Sequence, residues 1–169
     1  LSTLQYPVGK FVKPETVTPA MIQEWIAYLE KFPQVFRQTA ESLSEAQLDS
    51  PYRPDGWTGR QVIHHIADSH MNAYIRFKLS LTEDFPTIKP YMEDRWATLP
   101  DSTLPIEVSL RILEDVHTRW VCILKDIKDW VNQGYYHPVF GTGKNPLGNV
   151  LALYHWPSRH HLGHLELLK

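Results

Sequence analysis

Two groups of imidazoles dominate the chemistry this chain can do. One is His64-His65, closing the run Trp57-Thr58-Gly59-Arg60-Gln61-Val62-Ile63-His64-His65; the other is His160-His161-Leu162-Gly163-His164 near the end. If residues 157–168 are helical, His160 and His164 stand about 40° apart around the axis and about 6 Å apart along it. Both imidazoles then reach one ion, and a third histidine from another helix closes a facial triangle with open coordination positions of the kind catalytic metal sites keep. The residue after His160, where a zincin peptidase carries its glutamate base, is His161, so the chain has no HExxH signature. No pair of Glu-x-x-His motifs supports a di-iron carboxylate bundle. Gly-rich phosphate loops and nucleophile elbows are absent. No serine or cysteine stands visibly beside a base, which leaves covalent catalysis little support.

Most of the nine histidines need bind nothing. Taken singly, His70, His137 and His155 read as surface or hydrogen-bonded core residues. His117, beside Trp120, reads as a satisfied core histidine, with a pocket wall as the alternative. Val62, His65, Ser69, Asn72 and Arg76 follow one another by three- and four-residue steps, so His65 shares its helix face with polar groups. That mixture inside a bundle suggests a wet pocket in which Asn72 hydrogen-bonds a substrate and Arg76 attracts a carboxylate. A solvated helix edge is the competing reading.

The elements that must position these groups are helices. Residues 1–17, with Pro7 and Pro14 and no clear period, suggest an extended arm over the surface. Thr18-Pro19 caps and opens a helix with Ile22, Trp25, Ile26 and Leu29 on one stripe; Pro33 should kink or interrupt it. Ser44 to Gln47 and Thr58 to Gln61 both fit capping boxes, the second opening a long helix to about Leu81. Residues 82–105 form a long, partly irregular connection, the kind that is functional or wraps an outer face. Pro105 starts another helix, whose apolar face includes Val108, Leu113, Val116, Trp120 and Leu124. Residues 134–143 form a turn-rich crossing, and Asn145-Pro146 cap a last helix running toward Leu168. Four long amphipathic segments predict an all-α four-helix bundle with extra short helices, whose long connections disfavour a simple up-down-up-down order.

At 169 residues and 43% hydrophobic, one domain over residues 1–169 is expected. A net charge of −2, from 17 basic and 19 acidic residues, leaves no electrostatic footprint for nucleic acid or an anionic membrane. No apolar stretch reaches membrane-span length and no signal-peptide pattern opens the chain, so a cytoplasmic protein is expected. The single cysteine, Cys122, cannot form an intramolecular disulfide, and its apolar neighbours suggest burial.

The run from Gly56 through Asn72, continued by Tyr74-Ile75-Arg76-Phe77-Lys78, resembles the YfiT-type branch of the DinB-like proteins. Tyr6-Pro7-Val8-Gly9, Pro51-Tyr52-Arg53, Lys89-Pro90-Tyr91 and Gly134-Tyr135-Tyr136-His137-Pro138 fit the same pattern, so the likeness spans nearly the whole chain. The resemblance implies a bundle of four main helices and one mononuclear metal held by three histidines. The first ligand in that pattern lies eight residues after the tryptophan, which is His65 and not His64; the other two correspond to His160 and His164. It also implies a homodimer, a bound zinc or nickel ion, and either of two activities. Members of this branch are named metal-dependent hydrolases, while related proteins are thiol S-transferases using bacillithiol or another low-molecular-weight thiol. Pro157 departs from the pattern and should bend the last helix just before His160.

Three neutral imidazoles leave an ion its full charge, so a thiol at an open position would lose its proton near neutral pH and could attack an electrophile, with Arg76 holding the thiol's carboxylates. This thiol transferase is the leading expectation. Water in the same position would make a hydrolase, with Asp68 the nearest candidate proton acceptor. A non-catalytic metal-binding stress protein is the third reading, and a fourth protein ligand such as His161 or His117 would favour it.

Overall fold

Side-chain caps start the two helices that carry most of the bundle's first half. The computed structural model describes residues 2–139 and 143–169. Thr18 accepts a hydrogen bond from the Met21 N–H and opens α2 (Pro19–Glu41). Ser44 with Gln47 and Thr58 with Gln61 form complete capping boxes at α3 (Glu45–Leu48) and α4 (Gly59–Thr82), as their spacing predicts. Residues 1–17 are not wholly extended, since a turn of helix, α1 (Ser2–Gln5), precedes the extended stretch. The long connection holds α5 (Glu93–Trp96) and a 3-10 turn (Pro100–Thr103), followed by α6 (Ile106–Asp126).

The expected turn-rich crossing holds a short antiparallel pair of strands, β1 (Gly134–Tyr136) and β2 (Lys144–Pro146), with Tyr135 opposite Asn145; residues 140–142 lie outside the described residues. A β-carbon at Gly134 would overlap the Asn145 carbonyl, so only glycine permits this pairing. Asn145 therefore does not cap the last helix; its amide donates to the Tyr135 and Gly143 carbonyls. α7 (Leu147–Glu166) begins without a side-chain cap. Its first N–H groups, of Leu147 and Gly148, donate instead to the Gln133 and Trp130 carbonyls at 2.8 and 3.1 Å.

α2 packs against α6 and α7, and α4 packs against the same two, so α2 and α4 occupy opposite corners of a four-helix bundle. Helices consecutive in sequence thus lie diagonally across the bundle twice, which the long connections make possible. The core divides into two apolar clusters. Trp25, Leu29, Phe77, Trp120 and Leu151 belong to one, and Phe36, Ile63, Ile66, Leu113 and Leu165 to the other. Buried positions on α6 step through 110, 113, 117, 120, 121 and 124, which leaves Cys122 on the outer side. It is exposed, contrary to the burial its apolar neighbours suggest.

Pro33 does not interrupt α2, which continues to Glu41. A proline in a helix leaves the carbonyl four residues back without its donor. That carbonyl is Leu29, and His117 on α6 supplies the missing bond, its Nδ1–H donating at 2.7 Å. His117 Nε2 then accepts from His70 Nδ1–H at 2.6 Å, and His70 Nε2 faces the Ser158 hydroxyl at 3.3 Å. Hydrogen bonds thereby join α2, α6 and α4 through the middle of the core, and Ser158 of α7, whose hydroxyl donates to the Tyr154 carbonyl at 2.8 Å, packs against the His70 end of that series. Both histidines are core residues, as the sequence suggests. α7 likewise runs unbroken through Pro157.

Candidate metal centre and its cavity

The last two turns of α7 bring His160, His161 and His164 together, with one candidate ligand nitrogen from each lying within 4.8 Å of the others. Ring centroids of His160 and His164 are 4.2 Å apart, as an i, i+4 pair on one helix predicts. His65 enters from α4, its ring 4.8 Å from that of His161 and edge-on to Trp57 at 4.7 Å. His161 also contacts His160 and His164, at 5.1 and 5.4 Å between centroids. It is therefore the residue most central to the cluster, although sequence reasoning left it as an extra. Its place beside His160 in a double-histidine step was the available signal.

His64 stands apart from this group. Its Nε2–H donates to the Leu104 carbonyl at 2.9 Å, so Nδ1 accepts from the Ser109 hydroxyl at 2.6 Å. Both nitrogens are used, and the residue ties α4 to the start of α6.

The environment keeps the clustered imidazoles neutral. Burial, reinforced by the fields of His164 and His160, pushes His65 down to about 4. Burial and then His164 push His160 down to about 4. Burial and the surrounding imidazoles, His65 first, hold His161 well below its ordinary value. Burial also lowers His164, against the Gln5 carbonyl, which favours its charged form. Neutral rings keep lone pairs for a metal.

The N-terminal arm covers the outer side of the cluster. The His164 Nε2–H donates to the Gln5 carbonyl at 3.2 Å, which fixes the tautomer and leaves the lone pair on Nδ1. Tyr6 stacks on His160 at 5.8 Å, with Trp156 on His160 at 4.5 Å. Tyr52 stacks on His164 at 3.8 Å. A β-carbon at Gly163 would sit 2.8 Å from Pro7 Cγ, so the glycine lets the arm lie against α7. The Nδ1 atoms of His160, His161 and His164 are all buried and without a hydrogen-bond partner in the described structure. Three orphaned imidazole nitrogens in one place are costly unless a cation or another polar partner meets them.

His65, His160 and His161 form part of the wall of a cavity of about 670 Å³, along with Ser69 and Arg76 from the same stripe of α4. Asn72 does not line it; its amide donates back to the Asp68 carbonyl. Asp68 does not line it either, and its carboxyl is raised to about 6 by burial and then by Asp101. Among the tryptophans, Trp25 is core, Trp156 is cavity wall, and Trp96 is exposed against Tyr91. No helix of the described residues is long and apolar enough to cross a membrane.

The sequence profile of the DinB superfamily matches residues 28–165. Proteins of Bacillus cereus (strain AH820) and Bacillus anthracis, carrying the provisional name of metal-dependent hydrolase, are 46% identical over 170 aligned residues, covering 100% of this chain and 97% of each relative. The solved structure of YfiT from Bacillus subtilis, described as a probable metal-dependent hydrolase with an unusual four-helix bundle topology, superposes with a TM-score of 0.93 at 45% identity, covering 98% of this chain and 95% of that one.

Proposed function

The chain belongs to the DinB superfamily, and from that premise we propose that it is a metal-dependent enzyme that activates a low-molecular-weight thiol, of the bacillithiol type, for attack on an electrophile. The carrying observation is the cluster of neutral imidazoles, in which the buried Nδ1 atoms of His160, His161 and His164 have no hydrogen-bond partner and His65, His160 and His161 face one cavity. Their chemistry fits a divalent ion, and zinc or nickel suits an all-imidazole set. Tetrahedral Zn–N bonds of about 2.0–2.1 Å place ligand nitrogens about 3.4 Å apart. The nitrogens of His160, His161 and His164, which lie within 4.8 Å of one another, would close to that spacing by side-chain adjustments of roughly an ångström; His65 adjoins them through its contact with His161.

His65, His160 and His164 are the proposed ligands, with His161 close enough to join or replace one of them. A bound ion supplies Lewis acidity that lowers the pKa of a thiol or a water beside it. The chain's own residues do the rest. Trp156 and Phe11 form apolar cavity wall, which keeps water from competing for the electrophile. The Gln5 carbonyl orients His164. The thiol would lose its proton to solvent water, and its sulfur would form the new bond to carbon while the electrophile releases halide, or opens its epoxide C–O bond to an alkoxide that takes a proton from water.

The test is a cobalt-substituted protein titrated with bacillithiol. A sulfur-to-metal charge-transfer band that disappears in His65→Ala, with conjugate formed from a panel of epoxides and alkyl halides, is the expected result. No conjugate with any member of the panel defeats the transferase reading. Hydrolysis is the second reading, supported by the names of the relatives, although Asp68, the proton acceptor expected for it, does not line the cavity. Loss of a demonstrated amide or ester hydrolysis in Asp68→Asn would favour it. A closed structural site is recognised by four histidine ligands and no response to any added thiol.

A further inference from the structure

Tyr91 brings a phenol to the histidines from the long connection between α4 and α6. It lines the same cavity as His65, Ser69 and His161. Its ring packs on Trp96 at 4.5 Å between centroids, and its hydroxyl is buried. Ser69 is the hydrogen-bonding neighbour of that hydroxyl, and the bond favours the ionised phenol, so Ser69 donates and the phenolic oxygen accepts. The phenol's own proton meets no acceptor among the described residues. Arg76 donates to the Tyr154 hydroxyl at 2.9 Å, hydrogen-bonds Tyr135 and faces Glu93. Tyr91 stands outside that hydrogen-bonded group.

Ser69 follows His65 by one turn of α4, about 6 Å along the axis, so the Tyr91 hydroxyl lies about one helical turn from the imidazoles. A small electrophile spans that gap, with one end toward a nucleophile at the histidines and the other toward the phenol. Burial, and then Glu93, raise Tyr91 above the ordinary phenol range, which keeps the proton on it at neutral pH. An alkoxide released by an opening epoxide is about as basic as hydroxide, whose conjugate acid has a pKa of ~15.7, and so takes a phenolic proton. A departing halide needs no proton.

We infer that Tyr91 is the general acid of the proposed reaction, on which this inference rests, and that it fits the cavity to electrophiles whose leaving oxygen stays on the product, as in an epoxide. The thiolate sulfur bonds to one ring carbon, the C–O bond breaks with its electron pair going to oxygen, and the Tyr91 proton moves to that oxygen. The product is a β-hydroxy thioether. The phenolate left behind recovers a proton from water, so the solvent proton reaches the alkoxide through Tyr91. Ser69, donating to the phenolic oxygen, is a positioning residue that also steadies the phenolate.

The test compares styrene oxide with phenethyl bromide, which share a carbon frame, in single turnovers of the cobalt-loaded protein with bacillithiol, the conjugates being measured by mass spectrometry. Tyr91→Phe should slow epoxide opening by about 100-fold or more, the usual contribution of a general acid, and change halide displacement by less than about threefold. Retained halide displacement shows that the variant folds and binds thiol. Ser69→Ala should slow the epoxide alone, and by less. In the unaltered protein, epoxide opening should be slowed by D2O more than halide displacement is, because thiol deprotonation precedes both. Equal losses on the two electrophiles, or an unchanged epoxide rate in Tyr91→Phe, overturn the inference; if that variant does not fold, an equal D2O effect on both reactions overturns it. No conjugate from either electrophile defeats the thiol reading itself and this inference with it.

Discussion

Replacing His117 by phenylalanine should destabilise the protein by an amount that Pro33 controls from the neighbouring helix. His117 is 2% exposed and His70 is fully buried, packed against Phe32 and Trp120. Phenylalanine fills nearly the same volume, so the loss is in hydrogen bonds. The Leu29 carbonyl loses its donor, and the His70 Nδ1–H loses its acceptor. Each buried group left unpaired costs about 1–3 kcal/mol, so the variant should lose about 2–6 kcal/mol, a large part of the ~5–15 kcal/mol that a domain has.

Pro33→Ala supplies the discriminating background. Alanine has an N–H that can close the helical bond to Leu29, so that carbonyl no longer depends on His117. In Pro33→Ala protein the His117→Phe change should therefore cost about 1–3 kcal/mol less, leaving chiefly the unpaired His70. Urea unfolding of the four metal-free proteins at pH 7.5, followed by far-UV circular dichroism, gives the coupling directly, with unchanged m-values as the check on two-state behaviour. Equal costs in the two backgrounds, within about 0.5 kcal/mol, would refute the view that His117 compensates for the proline.

Stability of the metal-free protein should fall as pH drops from about 6.5 toward 4. Burial depresses His117 to about 4 and His70 further, so the unfolded chain binds protons first in this window and acid favours unfolding. For His117 alone the shift is worth roughly 3 kcal/mol, and a urea midpoint flat across this range would contradict the buried-neutral assignment. Gly163→Ala should push Pro7 off α7 and weaken metal retention, seen as faster metal loss to a chelator; an unchanged rate would mean the arm does not help to hold the cluster. Arg37→Met should cost about 1 kcal/mol at low salt and less in 1 M NaCl. Arg37 gathers Glu41, Glu107 and Glu114 and so clamps α2 to α6; a loss unaffected by salt would point to packing by its stem instead.

What could be read in advance follows the range of the interaction that decides each element. Helix starts at Thr18, Ser44 and Thr58 depend on residues three apart, and all three lie where their spacing puts them. The approach of His160 to His164 is equally local. Continuation of α2 past Pro33 depends on His117, far along the chain, and no local pattern announces it. The pair of strands β1 and β2 was missed for a related reason: strands of three residues show no alternation, and their pairing rests on the close carbonyl approach that Gly134 allows. Cys122 is exposed despite its apolar sequence neighbours because on a helix the neighbours that decide burial are three and four residues away.

The histidine cluster combines both situations. Its i, i+4 pair is local, but the central position of His161 depends on where α4 presents His65, and the tautomer of His164 depends on a carbonyl at residue 5. A chain can therefore advertise a metal site through spacing while leaving its outer face to a distant segment. Here that segment is the N-terminal arm, which the sequence places over the surface without saying where, and which lies against the imidazoles, with Tyr6 on His160, Pro7 on Gly163 and Gly9 bonded to Trp156.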